Sequence, residues 1–263
     1  MKIAVSGATG RMGKLIIEAV INSDDLKLVA AVTAPGVAEI GTDAGASLGK
    51  TTGVMITDDV QELAKADVLI DFTRPQATLA YLPFCVRHNV GVVIGTTGFD
   101  AQGKAQIAEA AKTVPVVFAP NMSVGVNSVL KLLEIAGAML SQYDCEIVEM
   151  HHKHKVDAPS GTALEMGRRV ALGRGVDFDS VAVLSREGHT GERPDGAIGF
   201  AALRGGDVVG DHTVIFAGPG ERIEISHKSG SRAGYAQGAV TAARFLKDKS
   251  YGLFSMSDVL GFN

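Results

Sequence analysis

Through roughly the first 120 residues, short apolar runs alternate with longer segments whose apolar positions recur every three or four residues. Lys2 to Ser6, Leu26 to Val32, Val68 to Phe72, Val90 to Ile94 and Pro115 to Phe118 read as buried strands, and Val54 to Thr57 as a shorter one. Helical patterns stand between them: one running to Ile21, a short one over Asp59 to Lys65, one from Thr73, and one over Ala101 to Lys112 with Asp100 as its cap. Thr73-x-x-Gln76 has capping-box spacing, and Pro75 is tolerated in a first turn. Five or six strands alternating with helices predict a parallel, doubly wound α/β sheet.

After Ser123 the pattern changes. Val124 to Gln142 is a long amphipathic helix, and Asp144 to His152 alternates partly as a strand. Ile198 to Leu203, Val208 to Ala217 and Arg222 to Ser226 follow, separated by polar, Gly-rich turns. Strands in succession after one helix predict a second, α+β domain with an antiparallel or mixed sheet and helices on one face. Arg232 to Lys247 returns to helix, and the apolar tail from Ser250 is expected to pack back on the body.

The first strand runs into Gly7-Ala8-Thr9-Gly10-Arg11-Met12-Gly13 and then a helix. Strand, glycine turn and helix form the context of a Rossmann-like dinucleotide site, where the backbone approaches a pyrophosphate at a helix N-terminus. The spacing is G-x-x-G-x-x-G, and a tight turn without a ligand would show the same residues. Phe72-Thr73, Gly95-Thr96-Thr97 and Ala119-Pro120-Asn121-Met122 also lie at strand ends, where ligands of such sheets bind. At the end of the second strand, where a carboxylate would hold the ribose of NAD, the chain reads Thr33-Ala34-Pro35. Arg11 is the nearest cation for a 2′-phosphate, so the residues leave NADH and NADPH both open.

The densest chemistry is Glu149 to Thr162, EMHHKHKVDAPSGT, with three histidines and two lysines between His151 and Lys155. Thr162-x-x-Glu165 fits a capping box, so a helix is expected to begin near Thr162, with Ser160, Gly161 and Thr162 against its free N–H groups. A proton donor and an ammonium beside a carboxylate cradle suit a small acidic substrate. A solvated His-rich loop is the plain alternative. Metal binding by His151, His152 and His154 is disfavoured by Lys153 and Lys155, which would repel a cation. On a regular strand His151 and His152 would face opposite ways, so both reach one site only if the strand ends there.

Apolar content of 46% and charged content of 21% are those of an ordinary soluble globular protein, with length enough for a real core. A net charge of −4 argues against nucleic acid as a partner. No apolar run approaches the ~20 residues of a membrane span, and Ile3-Ala4-Val5 is too short for a signal peptide. Cys85 and Cys145 make no disulfide framework and suit a reducing cytoplasm.

Taken together, GATGRMG at Gly7 to Gly13, DFTRP at Asp71 to Pro75, GTTGF at Gly95 to Phe99 and NMSVGVN at Asn121 to Asn127 resemble a known family. HHKHKVDAPSGTA at His151 to Ala163, SREGHTGER at Ser185 to Arg193 and IGFAALRGGDVVGDHT at Ile198 to Thr213 complete the resemblance, which spans almost the whole chain. The family is that of the 4-hydroxy-tetrahydrodipicolinate reductases of the bacterial diaminopimelate and lysine route. The resemblance implies a dinucleotide-binding domain over residues 1–122 and 232–263 and a substrate-binding, oligomerising domain over 123–231. It implies NADH or NADPH at Gly7 to Met12, Phe72, Thr73, Gly95 to Thr97 and Ala119 to Met122, and a homotetramer built through the second domain's sheet. By the same resemblance His151 is the proton donor and Lys155 a second donor or charge partner, while His152, Gly161 and Thr162 touch a dicarboxylate substrate. Thr33-Ala34 departs from the family's frequent acidic residue, which implies weak discrimination between the two cofactors. Three other readings compete: another two-domain dehydrogenase, such as an aspartate or homoserine dehydrogenase; a non-catalytic nucleotide sensor; and a metal-dependent hydrolase.

Overall fold

A computed structural model describes residues 1–262. In chain order the elements are β1 (Lys2–Ser6), α1 (Arg11–Ile21), β2 (Lys27–Val32), β3 (Ile56–Thr57), β4 (Val68–Asp71), α2 (Pro75–His88), β5 (Gly91–Ile94), α3 (Ala101–Ala110) and β6 (Pro115–Phe118). There follow α4 (Val124–Met139), β7 (Asp144–His151), α5 (Gly161–Arg174), α6 (Phe178–Val181), β8 (Ala182–Val183), β9 (Ile198–Arg204), β10 (Gly210–Gly218), β11 (Glu221–Ser229), α7 (Ala233–Leu246), β12 (Gly252–Phe254) and α8 (Met256–Leu260). The chain divides into two compact units, Met1–Val124 with the chain from Arg232 onward, and Gly125–Ser231.

The first unit holds a seven-stranded sheet in the order β12-β6-β5-β4-β1-β2-β3, with every pairing parallel. The inner strands β1, β2, β4, β5 and β6 are buried on both faces, which is why their sequences read as apolar runs. Ile3, Val5, Val68 and Ile70 face a core shared with α1 and α7, whereas Ala4, Leu69, Val92 and Ile94 face one shared with α2 and α3. The order reverses between β1 and β4, the place where a doubly wound sheet opens a crevice. The apolar tail does more than pack back: β12 adds a seventh strand beside β6, and α8 starts at a Ser255–Asp258 capping box. Neither short element has a period that the sequence pattern shows.

The second unit is a five-stranded mixed sheet, β11-β10-β7-β9-β8, antiparallel on one side of β7 and parallel on the other. Cys145 and Ile147 of β7, Val214 and Phe216 of β10 and Phe200 of β9 pack against Val129 and Leu133 of α4 and Met166 and Val170 of α5. The long segment between β8 and β9 is tied down by charge. Arg186 clasps the Glu146 carboxylate at 2.8 Å through two bonds, and Arg193 spans Glu146 at 3.0 Å and Asp144 at 2.7 Å.

Two helix starts differ from the expected capping boxes. The α2 N-cap is Arg74, without a side-chain cap, because the Thr73 hydroxyl donates instead to Asp71. The α5 N-cap is Ser160, whose Oγ accepts the Ala163 N–H at 3.1 Å, two residues before the predicted Thr162. Glu165, assigned to that box, instead accepts from Arg169 Nε at 3.0 Å.

Candidate active site

In the first unit the strand-end loops converge on one buried carboxylate. Asp71, the last residue of β4, has no exposed surface. It accepts hydrogen bonds from Ser6 Oγ at the end of β1 and Thr73 Oγ1 after β4, both at 2.6 Å. Thr78 Oγ1 of α2 also donates to it, as does Thr96 Oγ1 after β5 at 3.5 Å. Thr96 in turn accepts the Thr73 N–H at 2.9 Å. Burial pushes the Asp71 carboxyl up, and the four hydroxyls only partly oppose it. Ser6, Phe72-Thr73 and Thr96 are thereby fixed relative to one another around the switch point.

The glycine turn is fixed by its own backbone. Gly7 has φ +64°, and a Cβ on Gly13 would lie 2.1 Å from the Gly7 carbonyl, so α1 can approach the turn only with glycine there. Gly10 caps α1 without a side-chain hydrogen bond, and no acidic residue stands in the first turn. The N–H groups there suit a pyrophosphate. A Cβ on Gly95 would meet the Phe72 ring at 2.3 Å. Thr9 Oγ1 and Thr33 Oγ1 share a hydrogen bond of 2.9 Å, so the end of β2 presents paired neutral hydroxyls and no carboxylate. Among the expected cofactor residues, Ala8, Ala119 and Met122 are buried side chains of the core, which leaves their backbone for any contact. Arg11, Thr97 and Pro120 are exposed, and Asn121 Oδ1 accepts the Ser123 N–H at 2.9 Å.

In the second unit β7 stops at His151, so His152 is free of the strand's alternation. Glu149 and His151, two apart, share the face that Cys145 and Ile147 present to the core. The core thus turns polar at the end of the sheet. Glu149 is 1% exposed and accepts from His151 Nδ1 at 2.6 Å, from Arg204 at 2.8 and 2.9 Å, and from the Ser160 N–H at 3.1 Å. Burial alone would raise its carboxyl, but hydrogen bonds from Arg204 and then His151 outweigh that and hold it below the usual range. Arg204 also donates to the Asp157 carbonyl at 2.7 Å, drawing in the loop between β7 and α5, where the Ala158–Pro159 peptide is cis.

His212 of β10, opposite Glu149 in the register, stacks edge-on to His151 at 5.1 Å and shares a hydrogen bond of 2.9 Å between Nε2 and Ser160 Oγ. Burial, and then the neighbouring His151, push its imidazole down to about 4, so it is neutral near pH 7. The start of α5 is open: Gly161 is exposed, and a Cβ there would meet nothing within 4 Å. Thr162 is half-buried beside it. Lys155 is bound bidentately to Asp157 at 2.7 and 2.9 Å. His152 has a buried Nδ1 without a protein partner, and its ring lies 6.2 Å from that of the exposed His154.

The structure therefore brings His151 and Ser160 onto one carboxylate, with Gly161 and Thr162 next in the chain. The sequence alone points to no role for Glu149, Arg204, His212 or Asp71. The two-residue spacing of Glu149 from His151 on a strand was a usable signal, whereas Arg204 and His212 reach the site only through strand register. Cys85 and Cys145 are free and buried, with burial as the first cause pushing both thiols up to about 12, so neither is a nucleophile. Among the described residues no three His, Cys, Asp or Glu side chains converge as metal ligands. Among the same residues no helix is long and apolar enough to cross a membrane.

Known proteins share this arrangement of sequence. Residues 1–122 match the N-terminal family profile of dihydrodipicolinate reductase and residues 125–260 the C-terminal one. The 4-hydroxy-tetrahydrodipicolinate reductase of Cupriavidus metallidurans is 61% identical over 263 residues, 99% of each chain. That of Burkholderia multivorans is 60% identical over the same length and coverage. Among solved structures, a dipicolinate-bound dihydrodipicolinate reductase from Paenisporosarcina superposes with a TM-score of 0.77, covering 97% of both chains at 24% identity, a likeness of fold.

Proposed function

The chain belongs to the dihydrodipicolinate reductase family, and on that premise we propose which of its residues perform the family's reaction. It is an oxidoreductase of the diaminopimelate route to lysine. It reduces (2S,4S)-4-hydroxy-2,3,4,5-tetrahydrodipicolinate to (S)-2,3,4,5-tetrahydrodipicolinate, with loss of water, using a nicotinamide dinucleotide.

The first unit is the dinucleotide-binding domain. The turn from Gly7 to Met12 receives the pyrophosphate on the N–H groups that open α1, while Phe72-Thr73, Gly95 to Thr97 and the backbone of Ala119 to Met122 line the rest of the crevice. The bound dinucleotide supplies the hydride, which enters ring C4 of the dehydrated, conjugated imine. Thr9 and Thr33, neutral and bonded to each other, favour neither a ribose hydroxyl nor a 2′-phosphate, so both NADH and NADPH serve.

The second unit, Gly125–Ser231, is the substrate domain. His151 donates the proton that the enamine requires after hydride addition. The observation that carries this role is the shared carboxylate: Glu149 touches both His151 and Ser160, which sets a proton donor beside the open first turn of α5. The N–H groups at Gly161 and Thr162 hold one substrate carboxylate, with Ser160 shaping the turn and His152 on the same rim. Lys155 exchanges Asp157 for the substrate, holding its charge and acting as second donor.

We assign a homotetramer formed by the sheet face turned away from α4 and α5. That face carries Val148, Met150 and Ile215 half-buried and Leu203 50% exposed. Two free cysteines suit the cytoplasm as the place of work.

The test is a coupled assay in which the preceding enzyme makes substrate from pyruvate and aspartate semialdehyde. Loss of nicotinamide absorbance is followed with NADH and NADPH separately. Oxidation of both is expected, with kcat/KM differing by less than about a hundredfold. His151→Gln and Lys155→Ala should each lower kcat by about 100-fold or more while cofactor Kd changes less than about twofold. Near-normal turnover in either variant removes that residue's role.

A further inference from the structure

We propose that Glu149 is a positioning residue that fixes the proton-donor ring of His151, with Arg204 holding the carboxylate in place; this rests on His151 being the donor. The inference follows from which groups can only donate. Arg204 and the Ser160 backbone N–H have no acceptor capacity, and between them they claim both Glu149 oxygens, at 2.8, 2.9 and 3.1 Å. Such a carboxylate is an acceptor on every side. The remaining contact, 2.6 Å to His151 Nδ1, must then be an N–H donated by the imidazole.

That assignment sets the tautomer. With Nδ1–H committed to Glu149, Nε2 is the nitrogen that takes up and delivers the catalytic proton. Nε2 points past Gly210, where an added Cβ would lie only 3.0 Å away, so the strand leaves the ring its room. Imidazolium needs an acceptor on Nδ1 while Nε2 gives up its proton, and Glu149 is that acceptor. A buried carboxylate gripped by a guanidinium also cannot swing away, which keeps the ring in one plane through the cycle.

The charges around His151 come from every element beside it. Glu149 stands on β7, Arg204 on β9 opposite His151, His212 on β10, His227 next to His212 on β11, and Lys155 and Asp157 on the following loop. Neutral His212 adds no cation. Arg204 is spent on Glu149, and Lys155 on Asp157. Glu149 is thus the direct anionic contact of the ring, and its removal is the change that its protonated form would feel most.

The experiment compares Glu149→Gln with His151→Gln in the full chain by the coupled assay across pH. Glu149→Gln keeps the volume but turns an amide N–H toward Nδ1. We expect kcat to fall about 10- to 100-fold with cofactor Kd unchanged. The alkaline limb of kcat/KM should also move to lower pH, a shift that a merely structural loss would not produce. A wild-type limb and turnover in Glu149→Gln, with His151→Gln inactive, overturns the positioning role and leaves the donor intact. Near-normal His151→Gln overturns the donor, and the positioning role with it. Should Glu149→Gln not fold, 15N-histidine NMR of the wild-type protein decides, with the signal assigned through its loss in His151→Gln. Neutral His151 protonated on Nδ1 is the expected result, and protonation on Nε2 alone refutes the proposal.

Discussion

Each unit of this protein buries one carboxylate at the edge of its site, and the two are satisfied in opposite ways. Asp71 is held by four hydroxyls, Ser6, Thr73, Thr78 and Thr96, and burial wins, so its carboxyl titrates above the usual range. Glu149 is held by a guanidinium, an imidazole and a backbone N–H, and those donors win, so its carboxyl titrates below it. A hydroxyl can reverse from donor to acceptor; a guanidinium or a backbone N–H cannot. The first arrangement tolerates either protonation state and serves to tie loops together. The second requires an anion, and it stands where a proton is to be moved.

The largest effect should come from removing the anion that cannot be replaced. Glu149→Leu leaves the Arg204 guanidinium without its carboxylate and the Ser160 N–H without its acceptor, and should cost about 3 kcal/mol, read from urea unfolding. Arg204 keeps 21% of its side-chain surface in water, which places the loss at the low end for a broken ion pair. A cost below about 1 kcal/mol would show that solvent replaces the carboxylate and would break the contrast.

Next in size is the pH response of His212. Its folded value of about 4 lies below the ordinary 6.5, so between those limits the unfolded chain binds the extra proton. Its share of stability is complete above pH 6.5 and is lost as pH falls toward 4, up to about 3 kcal/mol. Unfolding curves at pH 7 and pH 4.5 should differ less in His212→Gln than in wild type. Equal differences would remove His212 as the source.

The smallest effect belongs to Asp71→Asn. Thr78 Oγ1 already lies 3.3 Å from the Arg74 carbonyl, so it can turn its proton there and accept from the new amide. We expect a change within about 1 kcal/mol. Removing the raised carboxyl also removes a contribution that weakens the fold as pH rises above 3.8. If Asp71→Asn costs as much as Glu149→Leu, the hydroxyl cage is no more adaptable than the ionic one, and the comparison fails.

Much of the architecture was legible in the chain itself. The apolar runs from Lys2 to Phe118 are strands because a sheet covered on both faces needs them, and Gly7 and Gly13 mark a turn that no side chain could enter. Asp100 was readable as a cap because the interaction is local, and its carboxylate does accept the Gly103 N–H at 2.7 Å. Thr73 and Thr162 had equally good cap spacing and are not caps. Thr73 is claimed by Asp71, and Ser160 was the better-placed hydroxyl for α5. Short elements such as β8 and β12 escaped because two or three residues have no period to read.

The order of residues thus determined where strands and helices lie, where an anion-binding turn must be glycine, and where histidine and lysine gather before α5. Those features depend on side-chain period and on contacts within a few residues. Only the tertiary structure decided what each group is for. Arg204 stands 55 residues from Glu149, and His212 52 residues from Ser160, and both arrive through the register of β7 with β9 and β10. The charge state of a buried carboxylate depends on which donors surround it, and those donors are assembled by strand pairing rather than by neighbours in sequence.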